Sequence, residues 1–539
     1  MKPDEWKPAG GLSLEPYAHK MVREENANVA VIAGPGAGKT EALAQRADFL
    51  LRTGFCPYPQ RILAISFKRD ASRNLAERVS ARCEDRLASR LDSYTFHAFA
   101  LDLVRRFRPV LVGDEALDRG FKAGDEDVGN SQISFAQMIP RARSIVRRSA
   151  LVRNAIAATY SHVFLDEFQD CTRSQYGLIL DAFHGTQVCL TAVGDTKQAV
   201  MGWVPDAHGE VFESFASDFS AQRVTLYANH RSAFRLRRVQ NAMVKRMEPA
   251  AAVPDEELVG SEGTVQHRHF LNCEEEARGM AQQIVSWLAT GTKPSDIAIL
   301  VVQQPELYAE PITRELHRLG VPLRNDAKLQ ELFAEPIARL VVDFLRVVAS
   351  TRAPEALARL QRTLSWLEER PPKSLIGAYL DNPASAIELR NAVNAFIDRI
   401  GPARLACLSS EYEDATRIAD LVESVLCEVD AAISKAPSIS EALESIGDER
   451  CVRVMTIHKS KGLEFDSVVM LGAETQTYWG KTDERRQLFF VGISRAKRRL
   501  VVTTADQRAK PTGAGNRWDD RRTKHQEFLS YLQPELGGA

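Results

Sequence analysis

The sequence predicts an α/β fold: two parallel-sheet domains carrying mainly helical insertions. Three observations predict it. Short apolar runs such as Asn28-Val29-Ala30-Val31-Ile32, Ile297-Ala298-Ile299-Leu300-Val301-Val302 and Val468-Val469-Met470-Leu471 alternate with segments of amphipathic helical pattern. That alternation marks βαβ units and a parallel sheet. The chain is 539 residues long, beyond the reach of one hydrophobic core, so several domains are expected. Two stretches interrupt the alternating regions. One of them, around residues 351–448, places Leu389, Val393, Phe396, Ile397 and Ile400 on a single helical face.

Bulk composition narrows the class. Hydrophobic residues make up 44% and charged residues 26%, as in globular proteins. No run of about 18 apolar residues predicts a membrane span. The opening MKPDEWKPAG lacks the basic-then-apolar order of a secretion signal, so a cytoplasmic protein is expected. The eight cysteines form no CxxC pair, which removes support for a zinc or iron–sulfur site and leaves buried free thiols as the reading. Net charge is −1, so global charge gives no sign of a nucleic-acid partner. A local basic groove remains compatible with it, because only charge facing the phosphates matters.

The first chemical anchor follows the first strand. Ala33-Gly34-Pro35-Gly36-Ala37-Gly38-Lys39-Thr40 runs into the helical pattern Glu41-Ala42-Leu43-Ala44. Strand, glycine-rich turn, Lys-Thr, helix is the context of a phosphate-binding loop. Glycines let backbone N–H groups close on phosphates, and the helix N-terminus favours the same anions. Lys39 is placed to reach the β- and γ-phosphates of ATP, and Thr40 to ligate Mg²⁺. Ala33 stands where the strict pattern has glycine.

The second anchor follows the apolar run Ser161-His162-Val163-Phe164-Leu165. It is Asp166-Glu167-Phe168-Gln169-Asp170. An Asp at the end of a neighbouring strand holds Mg²⁺ in such ATPases, and the next carboxylate activates the attacking water. Asp166 takes the first role and Glu167 the second. Alone, an acidic cluster there reads equally as a solvated loop; the upstream loop tips the reading to catalysis.

This second anchor resembles the DExQD box of superfamily 1 helicases of the UvrD/Rep/PcrA type, and further boxes follow in that family's order. Arg61–Ala71, RILAISFKRDA, and Tyr94–Phe99, YTFHAF, are similar to the boxes that line the single-strand track. They nominate Phe67, Thr95 and His97 for nucleic acid, with a packed strand end as the other reading of Phe67. Val193–Gln198, VGDTKQ, with Trp203 resembles the VGDxxQ…W box. The resemblance makes Gln198 a γ-phosphate sensor and Trp203 a base-stacking residue, with a core aromatic as the other reading of Trp203. Asn229–Ser232, NHRS, implies a γ-phosphate contact from Arg231. Thr456–Phe465, TIHKSKGLEF, implies a nucleotide-sugar contact from Glu464 and backbone contacts from Thr456 and His458. Arg486–Lys497, RQLFFVGISRAK, implies that Arg495 is the arginine finger.

The resemblance further implies two RecA-like domains with ATP between them. The first spans 1–105 and 158–220, the second 221–350 and 449–539. The insertions 106–157 and 351–448 correspond to reduced accessory domains 1B and 2B. Arg141, Arg143, Arg147 and Arg148 read either as a duplex contact or as a solvated helix face. The implied activity is ATP-dependent translocation on single-stranded DNA with 3′→5′ polarity. A second reading is a nucleotide- and DNA-sensing subunit that controls a partner nuclease, like compact UvrD-like subunits of anti-phage systems such as Gabija. No nuclease motif is recognisable in the chain itself. The base site departs from the family. Leu14–Lys20 contains no Gln, Glu41 replaces the usual Arg, and His230 replaces the usual Tyr; Tyr17 or His230 is left to stack on the base. Met201 and Val204 likewise replace the residues that usually flank this box's Trp.

Overall fold

A computed structural model of the chain describes all residues except 68, 125, 200–207, 326–331, 334, 350–352, 367–384, 406–407, 409–414, 435–437, 447–450, 512–513, 515–517 and 537–539. The chain divides into two bodies. The first comprises Met1–Gly263 and Gly480–Ser494, the second Thr264–Trp479 and Arg495–Ala539.

The first body is built on a six-stranded parallel sheet. Its strands are β1 (Val29–Ala33), β2 (Arg61–Ser66) and β3 (Leu91–Thr95). A small pair follows, β4 (Lys122–Gly124) and β5 (Gln132–Ser134), before β6 (Tyr160–Asp166), β7 (Cys189–Gly194) and β8 (Gln222–Leu226). The spatial order is β3-β2-β6-β7-β1-β8, with every neighbouring pair parallel. Alternate residues face opposite sides, as the two-residue period of a strand dictates. Ile62, Ala64 and Phe164 join a cluster with Leu43, Ala47 and Leu50 of the helix Lys39–Thr53. Leu63, Ile65, Val163 and Leu165 join the opposite cluster. Both faces are therefore buried, which is why the strands read as continuous apolar runs.

The first body departs from the sequence boundaries, running past 220 to Gly263 and taking in Gly480–Ser494. The edge strand β8 begins at Gln222, just past the boundary at 220, yet pairs with β1. The insertion 106–157 has no core of its own. Leu111, Phe121, Ile133, Met138 and Ile145 share one cluster with the sheet residues Leu63 and Val163. Three of its four arginines singled out in the sequence are engaged within the chain. Arg143 and Arg147 pair with Asp181 at 2.8 and 2.9 Å, and Arg148 pairs with Glu115 at 2.8 Å.

The second body carries β9 (Thr264–Asn272), β10 (Ile297–Val301), β11 (Leu323–Asn325), β12 (Val452–Thr456), β13 (Phe465–Met470) and β14 (Ala496–Gln507). They form a parallel sheet in the order β11-β12-β10-β13-β14-β9. The described residues between β11 and β12 are mainly helical and form their own cluster. On the helix Ala386–Ile400, Leu389, Val393, Phe396 and Ile400 are buried and Ile397 is half-buried, as the periodicity predicts. Phe396 stacks on Phe344 with ring centroids 4.1 Å apart.

One buried ion cluster in this body yields a stability prediction. Arg508, 4% exposed, binds Glu276 at 2.6 Å and Glu474 at 2.9 Å, and both carboxylates are buried. Removing the guanidinium strands two buried negative charges, which costs about 3–5 kcal/mol. Arg508→Ala is expected to lower unfolding free energy by about that amount in a denaturant titration. A change below about 1 kcal/mol contradicts the pairing.

Candidate active site

In open parallel sheets, ligands bind outside the carboxyl ends of the strands. The first body places three motif segments at the ends of three adjacent strands. The glycine-rich loop leaves β1, Asp166 ends β6, and Gly194-Asp195 ends β7, which lies between them.

Gly34 to Gly38 form the turn between β1 and the helix Lys39–Thr53. Gly36 and Gly38 have φ of +74° and +76°, the left-handed region that favours glycine. Ala37 N–H donates to the Gly34 carbonyl at 3.3 Å. Pro35 and Ala37 are buried beneath the turn. Lys39 and Thr40 open the helix, whose N-terminus has no side-chain cap, as suits an anion site. Behind it, fully buried Arg46 donates to the carbonyls of Met21 and Glu24 at 2.7 and 2.6 Å and to Thr191 Oγ1 at 3.0 Å. The helix is thereby pinned beneath the loop.

Asp166 is 3% exposed. Burial, then the charge of Glu167, push its carboxyl well above the ordinary carboxylate range; Lys39 and the Glu167 N–H oppose the rise. A carboxylate in that state fits a divalent cation, which supplies the missing positive charge. The Ser66 hydroxyl, in register with Asp166 on β2, is buried without a hydrogen-bond partner among the described residues, leaving a polar atom for a cation's water shell. Asp166 thus fits a divalent cation such as Mg²⁺. Glu167 adopts φ +52°, an unusual conformation for a non-glycine residue. Its N–H donates to Asp166 Oδ1 at 2.9 Å.

Gln198 Nε2 donates to Asp195 Oδ2 at 2.7 Å, and both are buried. Burial works against the Asp195 charge, but Lys197 and Lys39 outweigh it and hold the carboxyl below its ordinary value. Arg231 reaches the loop from the segment after β8. Asn229 Oδ1 accepts from the N–H groups of Arg231 and Ser232 at 2.9 and 3.0 Å. His230 N–H donates to the Gly36 carbonyl at 2.8 Å. The Arg231 guanidinium also donates to the Ser494 carbonyl at 3.2 Å.

The residues nominated for nucleic acid are distributed differently. Phe67 is half-buried just beyond β2. The Thr95 hydroxyl oxygen caps the helix Phe96–Phe107 by accepting from Ala98 N–H at 3.2 Å, with half-buried His97 in the first turn. Trp203 lies outside the described residues, as do Met201 and Val204. Thr456, His458, Glu464 and Arg495 belong to the second body. Thr456 Oγ1 accepts from Lys459 N–H at 3.2 Å at the end of β12, and His458 is half-buried in the turn that follows. Glu464 pairs with Lys497 at 2.7 Å. Arg495 is 2% exposed and donates to the Leu463 carbonyl at 3.2 Å.

The altered base residues have partners of their own. Glu41 binds Arg82 at 2.9 Å and Arg78 at 3.1 Å. Tyr17, 53% exposed, meets Tyr227 edge-on at 5.8 Å. Tyr227 carried no signal in the sequence. Gln169 and Asp195 stood inside quoted boxes without a role, and their contacts emerge only in the fold.

Comparison with known proteins agrees with this geometry. The family model of the UvrD/REP helicase N-terminal domain matches residues 14–128 and 124–220. That of the UvrD-like helicase C-terminal domain matches 403–507. DNA helicase II of Haemophilus influenzae is 23% identical, with 89% of this chain and 82% of the relative covered. DNA helicase II of Escherichia coli is also 23% identical, covering 92% and 85%. The ATP-dependent DNA helicase Rep of Escherichia coli is 22% identical, covering 92% and 91%. Among the described residues no helix is long and apolar enough to cross a membrane. With a glycine-rich loop after β1 and paired carboxylates after β6, the chain belongs to the UvrD/Rep family of ATP-hydrolysing DNA helicases.

Proposed function

We propose that this enzyme uses ATP hydrolysis to move along single-stranded DNA in the 3′→5′ direction. One observation carries the reading: the loop after β1, the Asp166-Glu167 pair after β6 and the Asp195–Gln198 turn after β7 converge at three neighbouring strand ends. Backbone N–H groups of the loop, with Lys39, hold the triphosphate. Thr40 and Asp166 would hold Mg²⁺, which neutralises phosphate charge when bound. Glu167 takes the proton of the attacking water. Gln198 and Arg231 read the γ-phosphate. The resemblance assigns Arg495 to the transition-state charge and Glu464 to the sugar. It assigns Phe67, Thr95, His97, Trp203, Thr456 and His458 to the DNA strand.

Directional movement is tested by displacing streptavidin from biotinylated oligonucleotides in the presence of ATP. Movement 3′→5′ is expected to clear streptavidin from a 5′ biotin and leave a 3′ biotin occupied. Clearance from the 3′ end reverses the polarity. ATP turnover with no clearance from either end turns the reading toward a sensor that controls a partner such as a nuclease.

A further inference from the structure

A connected set of buried and half-buried polar contacts leads away from Glu167. Its Oε2 accepts from Gln169 Nε2 at 2.6 Å. At the other end of the same amide, Gln169 Oε1 accepts from Asp195 N–H at 2.9 Å. Gly194 makes room for this contact, since a Cβ there would overlap Gln169 Oε1. Asp195 then divides its carboxylate. Oδ2 accepts from the sensor Gln198, while Oδ1 accepts from Lys197 N–H at 3.1 Å and lies 3.2 Å from Lys197 Nζ. Lys197 Nζ, on a side chain only 5% exposed, also donates to Glu248 Oε2 at 3.0 Å. Thr196 Oγ1 donates to the same oxygen at 3.1 Å. Glu248 caps the C-terminal end of the helix Phe234–Met247, which starts just after the Asn229–Ser232 segment.

Such an arrangement is not needed to fill space. A methionine at 197 would occupy similar volume without burying a charge, and buried ion pairs are poor sources of net stability. What a bidentate amide and a two-sided ammonium provide is fixed geometry. Burial disfavours the Lys197 ammonium, but Asp195 and Glu248 more than compensate.

We propose that Gln169 and Lys197 are positioning residues for hydrolysis. Through Asp195 they tie the Glu167 carboxylate to the helix Phe234–Met247, so that the placement of this helix sets the aim of Glu167 at the attacking water. The inference rests on Glu167 being the hydrolytic carboxylate, as proposed above.

Steady-state ATP hydrolysis on a saturating oligothymidylate tests it. Gln169→Ala and Lys197→Met are each expected to lower kcat by about tenfold or more, with KM for ATP within about threefold of the unmodified enzyme. Lys197→Arg restores most of kcat. The double variant is expected to be about as impaired as the worse single variant, because both act through one linkage. Lys245→Ala on the same helix, which removes an exposed pair with Asp255, serves as the control and turns over normally. Should Lys197→Met lose its cooperative melting transition, Glu248→Gln carries the same expectation with the Asp195 contact intact. Unchanged kcat in Gln169→Ala or in Lys197→Met, or fully multiplicative losses in the double variant, overturns the proposal. Absence of hydrolysis in the unmodified enzyme overturns the underlying reading instead.

Discussion

Replacing Glu167 by Gln is expected to lower ATP turnover by about 10²–10⁴-fold, the range that a positioned general base contributes. Nucleotide affinity is expected to stay within a few-fold of the unmodified enzyme. The substitution keeps the side chain's size and its position beside Asp166, but removes the basic oxygen. The backbone argues for the same role. Glu167 sits at φ +52°, a conformation that costs about 1–3 kcal/mol for a non-glycine residue and clusters at functional sites. A solvated loop carboxylate has no reason to hold it. Phosphate release measures turnover, and a fluorescent ATP analogue measures binding. Turnover in Glu167→Gln at half the unmodified rate or more contradicts the role.

Gly36→Val is expected to abolish tight nucleotide binding. The position has φ +74°, which is unfavourable for a β-branched residue. A Cβ there would overlap Asn229 Oδ1 and come within 2.7 Å of Arg231 Cβ. Both clashes fall on the turn that presents Arg231, so the loop and this arginine are displaced together. A loss of at least about 100-fold in affinity, roughly 2.7 kcal/mol, is expected by calorimetry with a non-hydrolysable ATP analogue. Gly113→Val is the comparison: φ there is +66°, with open space around it, so nucleotide affinity should hold. Equal binding by Gly36→Val and the unmodified chain contradicts the loop's assignment.

Much of this was legible in the sequence because it is local. A strand running into GPGAGKT and a helix is one continuous segment, and the apolar face of the helix Ala386–Ile400 repeats at a fixed spacing. The rest is non-local. Gln169 meets Asp195 across 26 residues. Lys197 meets Glu248 across 51. Neither contact has a period or a motif to announce it. The arginines of the 106–157 segment illustrate the opposite case. Their spacing invited a nucleic-acid contact, but Arg143 and Arg147 share Asp181 on the following helix Arg173–Phe183. Packing also overrode the boundaries: the same segment draws its core from the first sheet, and β8 joins that sheet by pairing with β1.

The most direct test of the account is the ATPase rate of the purified chain with and without single-stranded DNA, with Glu167→Gln as the blank. The rate is expected to rise at least about tenfold with DNA and to vanish in the blank. A rate that survives in Glu167→Gln, or one indifferent to DNA, would contradict it.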